Sequence, residues 1–248
     1  MRLDVYLTAG ELAQGELSGR VAVVIDVLRA STTIAAALAN GARAVIPFED
    51  TDEMLTRAKQ FEKAAVLLAG ERKMLPIPGF QFGNSPLEFT GEAVAGKTVL
   101  LSTTNGTRAL LATQGAAEVV VGSYVNCAAV TALLRTALRG GADVAIVCAG
   151  QDGHYAIEDA ACAGRYVRAA MRRNSDLRLN DAAQSCALLA RSYGDSIGAV
   201  FAASTHGRAL MDAGFEGDVD VCAKIDAFPV VPVYADRQIT KLGPERER

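Results

Sequence analysis

The sequence contains no tryptophan and few aromatic residues, and this scarcity bears on the ligands that the protein can take. Aromatic residues make up 6% of the 248, and lysine and arginine form no basic block. A nucleic-acid groove normally combines a clustered positive face with stacking rings. Because 25 Lys plus Arg stand against 28 Asp plus Glu, a nucleic-acid-binding function is disfavoured.

Long apolar runs and paired cysteines are also missing. The longest apolar runs fall far below the roughly 20 residues of a membrane span, and the first residues, MRLDVYLTAGEL, lack the apolar region of a signal peptide. The five cysteines are odd in number and form no CxxC pair, which is typical of reduced thiols. We therefore expect a cytoplasmic protein that binds neither a membrane nor nucleic acid.

What the chain does contain is the composition of an ordinary globular protein. It is 50% hydrophobic and 21% charged, with 23 glycines and 7 prolines, which excludes collagen-like, mucin-like and disordered chains. The length permits one large α/β domain or two small ones. We expect a single α/β domain over residues 1–248, with a helical subregion from about residue 177.

Short runs rich in Val and Ile alternate with longer runs rich in Ala and Leu, as in βα units around a largely parallel, buried sheet. This pattern predicts an α/β fold. Strands are expected at residues 21–25, 44–46, 65–68, 98–101, 118–121, 144–147 and 230–233. Helices are expected at residues 32–39, 52–63, 107–113, 128–138, 158–172, 181–193 and 204–213. The polar segment 236–248 is predicted to be a solvated tail.

Polar side chains follow three of the predicted strands. In an open α/β sheet the ligand binds outside the carboxyl ends of the strands, so these residues are candidates for the site. The first junction, VVIDVLRASTT, supplies Asp26, Arg29, Ser31, Thr32 and Thr33. The second, VLLSTTNGTRA, supplies Thr103, Thr104, Asn105, Gly106 and Thr107. The third, AIVCAGQDGHYAIEDAACAG, supplies Glu158 and Asp159. Hydroxyls, backbone N–H groups and an arginine at helix starts predict a phosphate site.

Carboxylates beside such a site suggest Mg²⁺, with Asp26, Glu158 and Asp159 as candidate ligands. Asp26 directly follows an apolar run and needs a partner if it is buried. Each residue also has an ordinary structural reading: Ser31 as a helix cap, Arg29 as a surface cation, and Glu158 as a complement to a helix dipole.

A long loop dense in Gly and Pro, Gly70 to Phe89, follows the third predicted strand. Loops of this length in compact domains are usually functional or disordered, and its aromatic residues argue against disorder. Arg72, Asn84 and Ser85 are its candidate substrate-binding residues, with Glu71 and Lys73 also within reach of a polar ligand.

Several familiar motifs are absent or misplaced. The segment GEAVAGKT matches a P-loop in letters, but its lysine and threonine begin a predicted strand instead of a helix. No GxGxxG follows a strand, and Asp26 begins no DxD motif. His206 in THGR could bind or protonate a leaving group, although a capping or core role is equally open.

With these residues in view, the sequence resembles the 2-phosphosulfolactate phosphatase family over nearly its whole length. The resemblance rests on six ordered blocks: DVLRASTT, GER, PGFQFGNSP, TTNGT, the CAG…ED stretch, and SxHGxxL. It implies a three-layer α/β/α fold with a largely parallel or mixed sheet. It also implies Mg²⁺-dependent hydrolysis of a small phosphoester that bears a sulfonate, 2-phospho-3-sulfolactate.

The expected catalytic residues are Asp26, Arg29, Glu158 and His206. Whether Asp26 attacks phosphorus or binds the metal while water attacks stays open. Two alternatives also stay open: a phosphatase for another phosphorylated hydroxy acid, and a noncatalytic protein that binds a phosphorylated metabolite. A homodimer is the default expectation for a soluble protein of this kind.

Overall fold

A computed structural model of the chain describes residues 1–172, 174 and 176–243, and within these ranges eleven strands form one sheet. The strands are β1 (Arg2–Tyr6), β2 (Val21–Ile25), β3 (Ala44–Pro47), β4 (Val66–Arg72), β5 (Leu75–Pro76), β6 (Thr98–Ser102), β7 (Glu118–Gly122), β8 (Val144–Cys148), β9 (Arg178–Leu179), β10 (Pro232–Ala235) and β11 (Gln238–Lys241). The helices are α1 (Ala30–Ala39), α2 (Thr51–Ala58), α3 (Gly91–Val94), α4 (Gly106–Leu111), α5 (Cys127–Arg139), α6 (Ile157–Met171), α7 (Asp181–Tyr193), α8 (Ile197–Ala203), α9 (Thr205–Asp212) and α10 (Glu216–Cys222).

The sheet has two parallel groups of strands joined by an antiparallel hairpin. Its order is β5-β4-β6-β3-β11-β10-β7-β2-β8-β1-β9. Strands β4, β6 and β3 pair in parallel, as do β7, β2, β8, β1 and β9. Between the groups, the three pairings that involve β10 and β11 are antiparallel. The two parallel groups therefore run in opposite senses, and the sheet is mixed.

Helices cover both faces of the sheet, which confirms the predicted α/β fold. On one face, Val23 of β2 and Ile146 of β8 share a core with Tyr166 of α6 and Phe201 of α8. On the other face lies a second core, which contains Val24 of β2, Ile34 of α1 and Leu101 of β6. This second core includes residues of both parallel groups. Side chains of β2 and β6 therefore pack in the same core although the two strands run in opposite senses.

Helix α1 explains how the second core is filled. Its sequence, ASTTIAAALA, has no charged residue, and nine of its ten residues are buried. Alanine favours the helix and loses no side-chain entropy there, and a helix that is apolar on all sides is stable only when it is buried. Helix α1 thus fixes the loop at the end of β2, where Asp26 and Arg29 lie.

The predicted elements are found with small shifts, and a few were missed. Helix α7 has the predicted bounds, whereas α2 ends at Ala58 and the late strand is β10. Strand β1 and helices α8 and α10 were not predicted. The expectation of a solvated tail was wrong for residues 238–241, which form β11 inside the sheet, and residues 244–248 lie outside the described residues. Among the helices of the described part, none has the length and apolar character needed to cross a bilayer.

Candidate functional site

A cavity of about 400 Å³ opens where the loops after β2, β4, β6 and β8 meet helix α9. Two of its described lining residues are apolar, and the others include carboxylates, cations and amides. The lining residues are Asp26, Leu28, Arg29, Glu71, Arg72, Lys73, Met74, Asn84, Thr104, Asn105, Gln151, Asp152 and His206. Seven of the sequence-predicted site residues are in this set: Asp26, Arg29, Arg72, Asn84, Thr104, Asn105 and His206.

Asp26 directly follows β2, lines this cavity and is 8% exposed. Its Oδ1 accepts a hydrogen bond from the N–H of Ala30 at 3.3 Å. Burial, followed by the charges of Glu71 and Glu158, raises the pKa of Asp26 to about 7. A carboxylate among other carboxylates in a cavity is a typical feature of a functional site.

Arg29 is held on several sides by the surrounding structure. Its Nη1 lies 2.6 Å from Oδ2 of Asp218, and its Nη2 donates to the carbonyl of Met74 at 2.8 Å. The ring of Phe215 lies 4.4 Å from the guanidinium carbon. The Leu28–Arg29 peptide bond is cis. Arg29 is therefore not a surface cation, because it is 3% exposed and lines the cavity.

The three hydroxyl residues after Arg29 bind loops together and are not among the described residues that line the cavity. Ser31 Oγ accepts from the N–H of Asp26, and Thr32 Oγ1 donates to the carbonyl of Val27. Thr33 Oγ1 donates to the carbonyl of Asn84. Their direct contact with phosphate, as predicted from the sequence, has no support in this arrangement.

At the second junction, too, some of the predicted residues are buried away from the cavity and others line it. Thr103 and Thr107 are buried and pair with each other through their hydroxyls at 3.2 Å. Thr104 and Asn105 line the cavity, and Asn105 Oδ1 accepts from the N–H of Asp152. A Cβ atom at Gly106 would lie 2.8 Å from Oδ2 of Asp26, so the absence of a side chain there leaves room for the carboxylate.

The carboxyl end of β4 and the loop that follows it contribute both a carboxylate and cations. Glu71 is 8% exposed, and its two oxygens accept the N–H groups of Thr104 and Met74 at 2.8 and 3.0 Å. Arg72 donates to Ser102 Oγ at 2.9 Å and lines the cavity beside Lys73. Ser85, a predicted binding residue, donates instead to Oδ1 of Asp218.

Glu158 and Asp159 begin helix α6, and both side chains form hydrogen bonds within the protein. The two oxygens of Asp159 accept the N–H groups of Val27 and Gly150. Glu158 Oε2 accepts from Ser204 Oγ at 2.8 Å. Burial and the charges of Asp26 and Glu158 raise the pKa of Asp159 well above its ordinary value. Neither residue is among the described residues that line the cavity.

Three buried polar atoms of cavity-lining residues have no hydrogen-bond partner in the described part of the chain. These atoms, here called the open polar atoms, are Asn84 Oδ1, Thr104 Oγ1 and His206 Nδ1. Buried polar groups are almost always paired, so each exception needs an explanation. A polar ligand in the cavity would supply the missing partners.

Two carboxylates of the cavity meet the requirements of Mg²⁺. Within residues 1–172, 174 and 176–243, no group of three or more His, Cys, Asp or Glu is arranged to hold a metal. Mg²⁺, however, is usually bound by one or two carboxylates together with substrate oxygens and water. Asp26 and Glu71 both line the cavity, and their mutual repulsion contributes to the raised pKa of Asp26. These two residues fit such an ion, whereas a cage of Asp26, Glu158 and Asp159 does not follow from the contacts.

The sequence placed Glu71 only within reach of a ligand, named Ser204 only as the first residue of the SxHGxxL block, and did not single out Asp218 or Phe215. Glu71 lies near the carboxyl end of β4, a position comparable to that of Asp26 after β2, and that signal could have identified it. Asp218 lies in α10, whose charged sequence EGDVDVC gives no sign that one of its acids is buried. The rejection of the P-loop was correct in its context, because Thr98 begins β6 and Lys97 Nζ donates to the carbonyl of Ala93.

Comparison with known proteins gives one consistent result. A family model described as 2-phosphosulpholactate phosphatase matches residues 6–237. A protein of Clostridium acetobutylicum, named probable 2-phosphosulfolactate phosphatase, is 37% identical over 96% of this chain and 100% of its own length. Proteins with the same name from Symbiobacterium thermophilum and Clostridium beijerinckii are 40% and 35% identical, over 92% and 97% of this chain and 96% and 99% of their own lengths. These matches confirm the resemblance drawn from the motifs.

Proposed function

Because the chain belongs to the 2-phosphosulpholactate phosphatase family, we propose that it hydrolyses 2-phospho-3-sulfolactate to 3-sulfolactate and phosphate. The observation that carries the proposal is that three residues with open polar atoms line one cavity together with cations and carboxylates. Its volume of about 400 Å³ suits a small ligand. The names of the relatives supply the substrate.

The cations of the cavity match a substrate with several anionic groups. Phosphosulfolactate carries a phosphate, a carboxylate and a sulfonate, and removing such charges from water is costly unless they are paired. Arg29, Arg72 and Lys73 line the cavity, and arginine binds oxyanions with two parallel hydrogen bonds. We assign the phosphate to Arg29, which lies nearest in sequence to Asp26, and the second anionic end to Arg72.

We further propose that the reaction depends on Mg²⁺ held by Asp26 and Glu71. When bound, the ion would neutralise phosphoryl oxygens and increase the susceptibility of phosphorus to attack. Glu71 also fixes the loop amides of Thr104 and Met74, so its carboxylate keeps one orientation. Asp159 holds the amides of Val27 and Gly150, and Glu158 holds Ser204. These two acids therefore position the loops around Asp26.

Phosphate release from a panel of phosphorylated three-carbon acids tests the proposal. The panel contains 2-phosphosulfolactate, 2-phospholactate, which lacks the sulfonate, and 2-phosphoglycerate. Selectivity for the sulfonated acid of about tenfold or more in kcat/KM is expected, since one hydrogen bond between charged groups supplies that much. Equal rates would favour a phosphatase for another hydroxy acid, and binding without turnover would favour a noncatalytic protein.

The metal requirement has its own test. Enzyme treated with EDTA and freed of the chelator should be inactive and should regain activity when Mg²⁺ is added. Calorimetric titration with Mg²⁺ should show binding to the wild type and none to Asp26→Asn. Full activity in the presence of excess EDTA would contradict the proposed role of the ion.

A further inference from the structure

The orientation of one imidazole in the cavity carries an inference that deepens, and rests on, the proposed function. His206 Nε2 lies 2.9 Å from the carbonyl oxygen of Leu28. A backbone carbonyl can only accept a hydrogen bond, so Nε2 must carry a proton. The other ring nitrogen, Nδ1, is buried and is one of the open polar atoms. The Leu28 contact therefore gives the two nitrogens different roles, and Nδ1 has no hydrogen-bond partner among the described residues.

The backbone around His206 is fixed by its own contacts. Ser204 caps helix α9, because its Oγ accepts the N–H of Gly207 at 2.9 Å while donating to Glu158. Gly207 cannot carry a side chain, since a Cβ there would lie 2.2 Å from the carbonyl oxygen of Phe201. The start of α9 is thus held on both sides of His206. A ring with a fixed backbone and a fixed Nε2 contact has a defined direction for Nδ1.

Most of the other charged groups of the cavity already have a proposed role. Arg29, Arg72 and Lys73 are assigned to the anionic groups of the substrate. Asp26 and Glu71 are assigned to the metal, and Glu71 already accepts two backbone amides. His206 is the one histidine among the described residues that line the cavity, and histidine is the most frequent general acid in enzymes. An alkoxide leaving group needs a proton, and a positioned imidazole is the usual donor.

We propose that His206 is the general acid of the reaction and that Nδ1 delivers its proton to the ester oxygen. A water oxygen forms the new bond to phosphorus while the ester P–O bond breaks, and the electron pair of that bond goes to the ester oxygen. That oxygen takes the Nδ1 proton and leaves as the alcohol. One proton of the attacking water stays on the phosphate product, and the other restores the imidazolium.

The test compares two leaving groups in two variants. In His206→Gln the amide nitrogen can replace Nε2 at the Leu28 carbonyl, and in His206→Asn the amide can replace the hydrogen bond of Nδ1; neither can transfer a proton. The substrates are an alkyl phosphate that the wild type hydrolyses and its analogue with sulfur in place of the bridging ester oxygen. A thiolate leaves without protonation.

We expect both variants to lose on the order of 10²–10⁴-fold in kcat on the oxygen ester and to stay within a few-fold of the wild type on the sulfur ester. Equal losses on the two esters would overturn the role of His206. Absence of phosphate release from every ester by the wild type would instead overturn the proposed function itself.

A second measurement does not depend on turnover. The chain has two histidines, so ¹⁵N spectra of the wild type and of His154→Asn assign the His206 signals. The neutral ring should carry its proton on Nε2, as the Leu28 contact requires. A neutral ring protonated on Nδ1 would overturn the proposed orientation.

Discussion

Arg29 and Asp218 lie 189 residues apart in the sequence and form a buried ion pair, with 2.6 Å between Nη1 and Oδ2. Their side chains are 2% and 3% exposed. The other oxygen of Asp218 accepts the hydroxyl of Ser85. One carboxylate in helix α10 therefore connects the loop after β2 with the long loop after β4, and both loops line the cavity.

Substituting Asp218 should reduce both stability and catalysis. Asp218→Ala leaves Arg29 buried without its partner, and such a loss costs about 3–5 kcal/mol in the free energy of unfolding. The released guanidinium should also bind phosphate less well, so KM should rise. Asp218→Asn keeps a hydrogen-bond acceptor and should restore part of both. Urea unfolding and steady-state kinetics measure the two effects.

A second buried pair provides the control for Asp218. Asp4 and Arg20 are each 6% exposed, with 2.9 Å between the charged atoms, and neither is among the described residues that line the cavity. Asp4→Ala should therefore lower stability while leaving kcat/KM near the wild-type value. A wild-type kcat/KM for Asp218→Ala would show that Arg29 needs no fixed partner.

Asp26→Asn should abolish turnover and leave the fold intact. The substitution removes a charge that burial and Glu71 disfavour, so the free energy of unfolding should not fall. Activity should drop about a hundredfold or more, because a metal held by this carboxylate supplies several kcal/mol of transition-state stabilisation. Steady-state kinetics measure the loss of turnover, and urea unfolding of the same sample measures stability. Wild-type rates would rule out Asp26 as a metal ligand.

Gly106 should tolerate no side chain. A Cβ atom there would approach Ala30 Cβ at 2.7 Å and Asp26 Oδ2 at 2.8 Å, so Gly106→Ala must displace the carboxylate or helix α1, at a cost of about 1–3 kcal/mol. Gly106→Val should be worse. The need for glycine at this position comes from the close approach of these atoms and not from the backbone conformation, because Gly106 begins helix α4 and has no positive φ.

Gly91 is a matched control, since it also begins a helix and a Cβ there would meet its nearest atom, the carbonyl oxygen of Asn40, at 3.8 Å. Gly91→Ala should keep both activity and stability. If Gly106→Ala is as active as Gly91→Ala, the space beside Asp26 is not needed for the reaction.

The sequence predicts a helix or strand well when the evidence is a local pattern of residues. It predicts poorly the elements that form because of contacts with residues far away in the chain. Val21–Ile25 is five apolar residues in a row, and such a run identifies a buried strand without further information. Strand β1 contains Asp4, a buried carboxylate that pairs with Arg20 and Arg2, and the pairing with Arg20 is not visible from the local pattern. Strand β11 has a single fully buried residue, Ile239, and its place between β3 and β10 depends on pairings across the chain.

At the candidate site, too, some features could be predicted from the sequence and others could not. The motifs identified the right loops, because a polar cluster after a buried strand is visible in the letters alone. They could not tell which side chains turn into the cavity. Thr104 has an open polar atom, whereas Thr33 is equally polar and bonds the carbonyl of Asn84. Side-chain direction depends on packing against segments far away in the sequence.

All five cysteines should react slowly with thiol reagents in the native protein. Each is buried and free, and burial raises their pKa values, to about 12 for Cys186 and Cys222. The thiolate is the reactive form, so at pH 8 little of it is present. Ellman's reagent should label five thiols rapidly in guanidinium chloride and few without it. Rapid labelling of the native protein would show that a cysteine is accessible.

Arg72→Ala should separate binding of the second anionic group from the chemistry at phosphorus. Arg72 lines the cavity and is anchored through Ser102, so its guanidinium can meet a sulfonate or carboxylate without belonging to the group around Asp26. Its loss should raise KM for phosphosulfolactate by about tenfold or more, the effect of one charge-assisted hydrogen bond. KM for p-nitrophenyl phosphate, which lacks those groups, should change little.

Arg108→Ala is the control, because Arg108 is exposed and pairs with Glu49. Equal losses on both substrates would place Arg72 at the phosphate, and no loss on either would leave it without a role in binding.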